Sequence, residues 1–178
     1  IYLYSPDDKL LNLFKNNYTY LLKLHNDTLV YLVNNKFSEE ERVSLLRNQN
    51  FVNNLPDNYL EAIINKMTFP NVFNMLQNIT ILSKMKNINV SLRAYDKIFI
   101  TGYLDSPALV NITDNKMLNN MFSLISPIET SKYLSYPYIY TKFKTYDIVN
   151  ILINSKLNIY TDSPKLLKVL RLDEIKYY

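Results

Sequence analysis

Apolar residues recur at helical spacing through the first half of the chain. Leu10, Leu11 and Phe14 follow an opening Ser5-Pro6-Asp7-Asp8, in which Ser can cap, Pro suits a first turn and the acids face the helix dipole. Ser38 and Glu41 have the spacing of a capping box, ahead of Val43, Leu45 and Leu46. Leu55-Pro56-Asp57 opens a third helix carrying Leu60, Ile63, Ile64 and Met67. Pro70-Asn71 opens a fourth with Val72, Phe73, Leu76, Ile79 and Leu82. These stripes predict core-facing helices.

From Asn87 the periodicity changes. Ile88, Val90 and Leu92 alternate with Asn89, Ser91 and Arg93, the pattern of a half-buried strand. Ile98-Phe99-Ile100-Thr101 before Gly102 is β-prone, as is Met121 to Ile125 before Ser126-Pro127. Tyr136 to Phe143 alternates aromatics with Ile139, Thr141 and Lys142. Thr145-Tyr146-Asp147 caps a helix through Ile148, Val149, Ile151 and Leu152. Leu157 to Thr161 reads as a last strand, and Ser163-Pro164 caps a terminal helix with Leu166, Leu167 and Leu170. The expectation is a helical N-terminal extension over residues 1–86, then an α+β domain over 87–178 with a helical tail. No internal repeat stands out.

Composition narrows the chemistry more than the fold. The chain has 178 residues with no Cys, no Trp, one Gly, one His and 16 Tyr. Without Cys there are no disulfides, thiolate zinc sites or cysteine nucleophiles. The single imidazole, His25, excludes any site that needs two. The sequence contains no P-loop, glycine-rich nucleotide turn or nucleophile elbow. Asp7-Asp8 and Asp173-Glu174 read as helix-end charges. The expectation is therefore not an enzyme, with no cofactor, no metal and no small-molecule substrate. A net charge of +4 is compatible with nucleic acid. No apolar run reaches the length of a membrane span. The abundance of Asn, Ile, Lys and Tyr points to an AT-rich genome.

Between Ser126-Pro127 and Tyr136 lie more residues than a tight hairpin turn holds, which predicts a long β-hairpin arm. Lys132, Tyr133, Tyr136, Tyr138, Tyr140, Lys142 and Lys144 lie on or beside it. Lysines neutralise phosphates, and tyrosines stack on bases or bond a ribose 2′-hydroxyl. INVSLRAYDK, residues 88–97, resembles the first strand of the bacterial-type small-subunit ribosomal protein ten family. MFSLISP, 121–127, resembles that family's second strand, and KYLSYPYIYTKFK, 132–144, its third, with Ile139 and Thr141 on matching positions. The family's Gly-Pro-x-x-x-Pro-Thr segment is replaced by NITDNKMLNN, its His after Ser-Pro by Ile128, and its Arg before the third-strand Thr by Tyr140.

The resemblance covers residues 87 to 161 and implies a ferredoxin-like β-α-β-β-α-β module with a long β-hairpin. It also implies a structural constituent of the small ribosomal subunit head, contacting small-subunit rRNA and neighbouring ribosomal proteins. Its implied RNA-binding residues are Arg93, Lys97, Ser126, Lys132, Tyr133, Tyr136, Lys142 and Lys144. Together with the composition, this points to a mitochondrial ribosome on the matrix side, in support of organellar translation. A competing resemblance lies in LPDNYLEAIINKMTFPNVFNML, residues 55–76, which looks like the start of an F-box. Leu55, Pro56, Ile63, Ile64 and Met67 fall on that motif's positions, and Pro70 comes one residue late. It implies an adaptor that docks a ubiquitin-ligase scaffold.

Overall fold

A computed structural model describes residues 7–158, 161, 162, 164–167 and 170. The chain divides between Val90 and Ser91 into two compact units.

The first unit is built from short helices: α1 (Asp8–Asn16), α2 (Tyr18–Leu21), α3 (Asn26–Lys36), α4 (Glu39–Leu46), α5 (Gln49–Asn54), α6 (Asp57–Ile64), α7 (Phe69–Met75) and α8 (Ile79–Lys84). Polar caps set their length. Asp7 accepts the Leu10 N–H at 2.8 Å, and Asn48 accepts the Phe51 N–H at 3.1 Å. Ser38 accepts the Glu41 N–H while Glu41 accepts the Ser38 N–H at 2.7 Å, a complete capping box. Asn78 caps α8, so the expected fourth helix is broken there and Ile79 and Leu82 belong to the next one. Ser5 and Pro6 lie outside the described residues.

Packing follows a serial rule: α3 packs on α6, α4 on α7, and α5 on α8. Leu29, Val33, Phe51, Leu60, Ile63, Ile64, Phe69 and Val72 are fully buried in this core. Each such side chain contributes about 1.5–3 kcal/mol of burial. The sequence shows no repeat because what recurs is the cap and the packing offset, not residue identity.

The second unit contains a 3₁₀ turn (Ala94–Asp96), then α9 (Lys97–Leu104), α10 (Pro107–Asn111), α11 (Asn115–Leu124), α12 (Pro127–Leu134), α13 (Pro137–Tyr140), α14 (Thr145–Asn154) and α15 (Pro164–Leu167). The offset recurs, with α10 on α13 and α11 on α14.

The expected α+β, ferredoxin-like module with its long hairpin is therefore corrected to an all-α unit, with no sheet among the described residues. Ile98 to Thr101 lies in α9, Met121 to Leu124 ends α11, and the supposed arm is α12. The reason is capping. Asp114 accepts the Met117 N–H at 2.7 Å and starts α11, which buries Met117, Leu118, Met121 and Phe122 on one face. Ser126 and Glu129 form a second capping box with Pro127 in the first turn. What reads as a strand end is a helix start. Tyr136 to Phe143 becomes α13 and a turn, with Pro137 again in the first turn. Leu157 and Asn158 are irregular and Thr161 is in a turn; Ile159, Tyr160 and Ser163 lie outside the described residues.

The alternation at Ile88 is real but has a different partner. Ile88 and Val90 are buried, and Asn89 and Ser91 are exposed, as in a half-buried strand. Ile88 forms an isolated bridge without a sheet ladder, and the backbone of residues 86–89 bonds to side chains of α6 and its C-cap. Glu61 Oε2 accepts the N–H groups of Lys86 at 3.1 Å and Asn87 at 3.2 Å. Asn65 donates from Nδ2 to the Asn87 carbonyl at 3.2 Å and accepts the Asn89 N–H at 3.0 Å.

α14 ends in a Schellman motif: the Leu157 N–H reaches the Leu152 carbonyl and the Lys156 N–H reaches that of Ile153, both at 2.9 Å. Lys156 takes the left-handed position, with φ 55°, where glycine is usual.

Candidate binding site

The Ser126–Glu129 box fixes the start of α12 and so the direction of its faces. Ile128, Ser131, Lys132 and Ser135 recur at i, i+3, i+4 and i+7, one stripe of a helix. That stripe lines an open cleft of about 380 Å³, with Tyr136 beside it and Asp162 and Leu166 opposite. The Ser131 hydroxyl donates to the Asp162 carbonyl at 2.7 Å across it. The Asp162 carboxylate accepts the Asn158 N–H at 2.7 Å and the Thr161 hydroxyl at 3.0 Å. Ile128 is 82% exposed, an apolar side chain open to solvent at the rim.

Lys132 is the cation of the site. Its ammonium lies 4.6 Å from the Tyr133 ring centroid, 5.8 Å from that of Tyr136 and 3.8 Å from Asp105 Oδ1. Desolvation would lower its pKa, but Tyr133, Asp105 and Tyr136 outweigh it and hold the ammonium above its ordinary value. Tyr133 and Tyr136 meet edge to face at 5.6 Å, and Tyr138 lies 5.6 Å beyond Tyr136. Two phenols anchor this cluster to carbonyls in the last turn of α9. Tyr133 donates to the Thr101 carbonyl at 3.1 Å and Tyr138 to that of Leu104 at 2.9 Å. Burial first, then neighbouring Asp105, raises the Tyr133 phenol; burial, then Tyr136 and Asp105, raises that of Tyr138.

Glu129 sits at the base of α12. The Ser126 hydroxyl and N–H, bonded at 2.6 and 2.8 Å, hold its carboxyl below the usual range, with Lys97 and Lys132 adding to the effect.

Five of the eight residues expected from sequence thus gather here: Lys132, Tyr133 and Tyr136 in the cluster, with Ser126 and Lys97 around Glu129. Tyr133 is buried, so its ring has no open face for a base. Ser126 is a helix cap. The other three lie elsewhere. Arg93 donates to the Tyr95 hydroxyl at 2.6 Å and stacks over that ring at 5.8 Å. Lys144 is exposed before α14. Lys142 donates to the carbonyls of Val110 at 2.7 Å, Asn111 at 2.9 Å and Thr113 at 2.6 Å. An ammonium has three N–H bonds, so its donors all cap the end of α10. Burial lowers its pKa against the pull of Asp114.

Asp105, Ser131, Ser135 and Ile128 were not expected in a site. The i, i+3, i+4, i+7 stripe after Ser126-Pro127 is the signal that points to the last three; Asp105 joins only through tertiary packing.

In the first unit, Leu55, Ile63, Ile64 and Met67 of the F-box-like stretch are buried. Among the described residues no His, Asp and Glu cluster could hold a metal ion, and no helix is long and apolar enough to cross a membrane. Comparison of the chain with protein-family models, with curated proteins and with solved structures found no match.

Proposed function

We propose that the protein is a helical binding module whose second unit takes a peptide segment of a protein partner, one with a carboxylate beside an apolar side chain. One observation carries this reading: Ile128 and Lys132, one turn apart on α12, both face an open cleft. A core-facing stripe would bury Ile128, yet it is 82% exposed. Lys132 offers the charge and Ile128 the apolar contact. A net charge of +4 favours an acidic partner. Serial helix arrays leave such faces free, because each helix packs mainly on near neighbours.

The rRNA reading has less support. Its hairpin is replaced by α12, Tyr133 is buried and Lys142 is committed to α10. The mitochondrial location rests on the same resemblance and on composition. The adaptor reading of residues 55–76 would need partner contacts from Leu55, Ile63, Ile64 and Met67, which are in the core.

The test is fluorescence anisotropy with a labelled peptide of alternating Leu and Glu, a matched Leu and Lys peptide, and a single-stranded RNA. The acidic peptide should bind, and Lys132→Gln should weaken it about tenfold, the size of one charge-assisted bond. Ile128→Ser should weaken it too, and Lys144→Gln should not. Binding of RNA but not of the acidic peptide, lost equally in Lys132→Gln and Lys144→Gln, would return the assignment to nucleic acid.

A further inference from the structure

Opposite Lys132 and Ile128, the cleft is walled by Pro164 and Leu166 of α15. The Leu170 N–H bonds to the Leu166 carbonyl at 2.9 Å, so the chain beyond Leu170 sets out from the cleft's own wall. Residues 171–178 lie outside the described residues, and their sequence is Arg-Leu-Asp-Glu-Ile-Lys-Tyr-Tyr. Leu172 and Ile175 flank Asp173 and Glu174, and nowhere else in the chain do two adjacent acids stand between aliphatic residues. That pairing of carboxylate with apolar side chain matches the cleft, where the Lys132 side chain is 51% exposed and Ile128 82%. The other charges after Asp162 are Lys165, Lys168, Arg171 and Lys176, all of which Lys132 repels. Charge alone thus selects the Asp173-Glu174 pair. Asp173 to Ile175 lie three to five residues past Leu170, a reach of up to about 10 to 16 Å. The cleft is narrow enough for the Ser131 hydroxyl to meet the Asp162 carbonyl across it at 2.7 Å.

We propose that residues 172–175 occupy this cleft in cis, a carboxylate of Asp173 or Glu174 on the Lys132 ammonium and an aliphatic neighbour against Ile128. The chain then competes with a protein partner for its own site, and binding is regulated by what displaces the tail. This rests on the cleft being a site for a carboxylate beside an apolar side chain, as proposed above. Attachment supplies an effective concentration of order millimolar, so even a weak contact of this kind is populated.

Two measurements on the full chain test it. Carbodiimide couples an amine to a carboxylate in contact with it and adds no spacer. In a mixture of light and heavy-isotope chains, Lys132 should couple to Asp173 or Glu174 of the same chain, as read by peptide mass. Asp105, 3.8 Å from the Lys132 ammonium, is the internal control. The second measurement is anisotropy with the labelled peptide of alternating Leu and Glu. Asp173→Asn with Glu174→Gln, and separately Ile175→Ser, should tighten its binding about tenfold, the factor by which a millimolar competitor in cis masks a site of about 0.1 mM affinity. Coupling of Lys132 to Asp105 but not to the tail overturns the proposal. So does measurable peptide binding of equal strength in wild type and tail variants, which leaves the cleft as a partner site without a cis occupant. Tail coupling found only between light and heavy chains overturns it in favour of a second copy. Coupling within one chain, with no peptide bound by any variant, supports the cis contact and overturns the partner reading alone.

Discussion

Glu39 of α4 accepts the Thr68 N–H at 2.7 Å and the Thr68 hydroxyl at 2.6 Å, so α7 is capped by a side chain from another helix. Asn71 adds a third donor at 2.8 Å to the same oxygen. Desolvation pushes the carboxyl up, but the bonds from Asn71 and Thr68, with Arg42 nearby, win and hold it below its ordinary 4.5. A lowered carboxylate contributes stability that is present above the ordinary pKa and lost as pH falls through the lower folded value. Glu39→Ala should cost about 1–3 kcal/mol at neutral pH. Urea midpoints measured from neutral to acid pH should converge for the two proteins as the acid limit is approached.

Tyr103 gives the opposite limb. It is fully buried, with its hydroxyl 2.7 Å from that of Thr113, which donates to the Leu109 carbonyl at 2.7 Å. Burial pushes the phenol from 10.0 up to about 12, against the Thr113 hydrogen bond. A raised folded pKa contributes stability that is complete below the unfolded value and lost as pH rises through the folded one. Stability should fall between about pH 10 and 12, and Tyr103→Phe should flatten that fall while costing about 1 kcal/mol at neutral pH. Alkaline denaturation curves of both proteins check this.

Lys142 and Lys144 are two residues apart but differ in kind. Lys142→Ala removes three charge-assisted bonds to carbonyls and should cost about 1–3 kcal/mol. Lys144→Ala, at an exposed position, should stay within about 0.5 kcal/mol. Equal urea midpoints for the two variants would contradict the capping role of Lys142.

Lys156→Gly should stabilise the protein. A residue with a Cβ in the left-handed region carries a penalty of about 1 kcal/mol that Gly avoids, offset in part by the greater freedom of Gly in the unfolded chain. Thermal unfolding should rise by a few degrees at most, about 2–4 °C for a chain of this size.

The helical first half was legible because its caps are local: Ser38 with Glu41, and Pro56 before Asp57, act within one turn. The second half was misread at the same signal. Ser126-x-x-Glu129 repeats Ser38-x-x-Glu41, yet short β-prone runs on either side drew a strand reading. Periodicity does not separate a short buried helix from a strand when only four or five apolar residues are in view. At Ile88 the expected strand shrinks to an isolated bridge, and Glu61 and Asn65 bond the flanking backbone from a remote part of the chain. Lys132, Tyr133 and Tyr136 were found together since they are close in sequence. Asp105 and the committed state of Lys142 depend on α9 and α10, which no local pattern announces.

The three-helix offset also bears on how the chain reaches its fold. α3 packs on α6, α4 on α7 and α5 on α8, alongside neighbour contacts such as α4 on α5, so most pairs in this unit meet within a few helices of one another. Chains dominated by such near-sequence contacts fold in the microsecond to millisecond range, faster than the sheet expected from the sequence would allow. During synthesis, α3 can pack as soon as α6 has emerged, before the second unit is made.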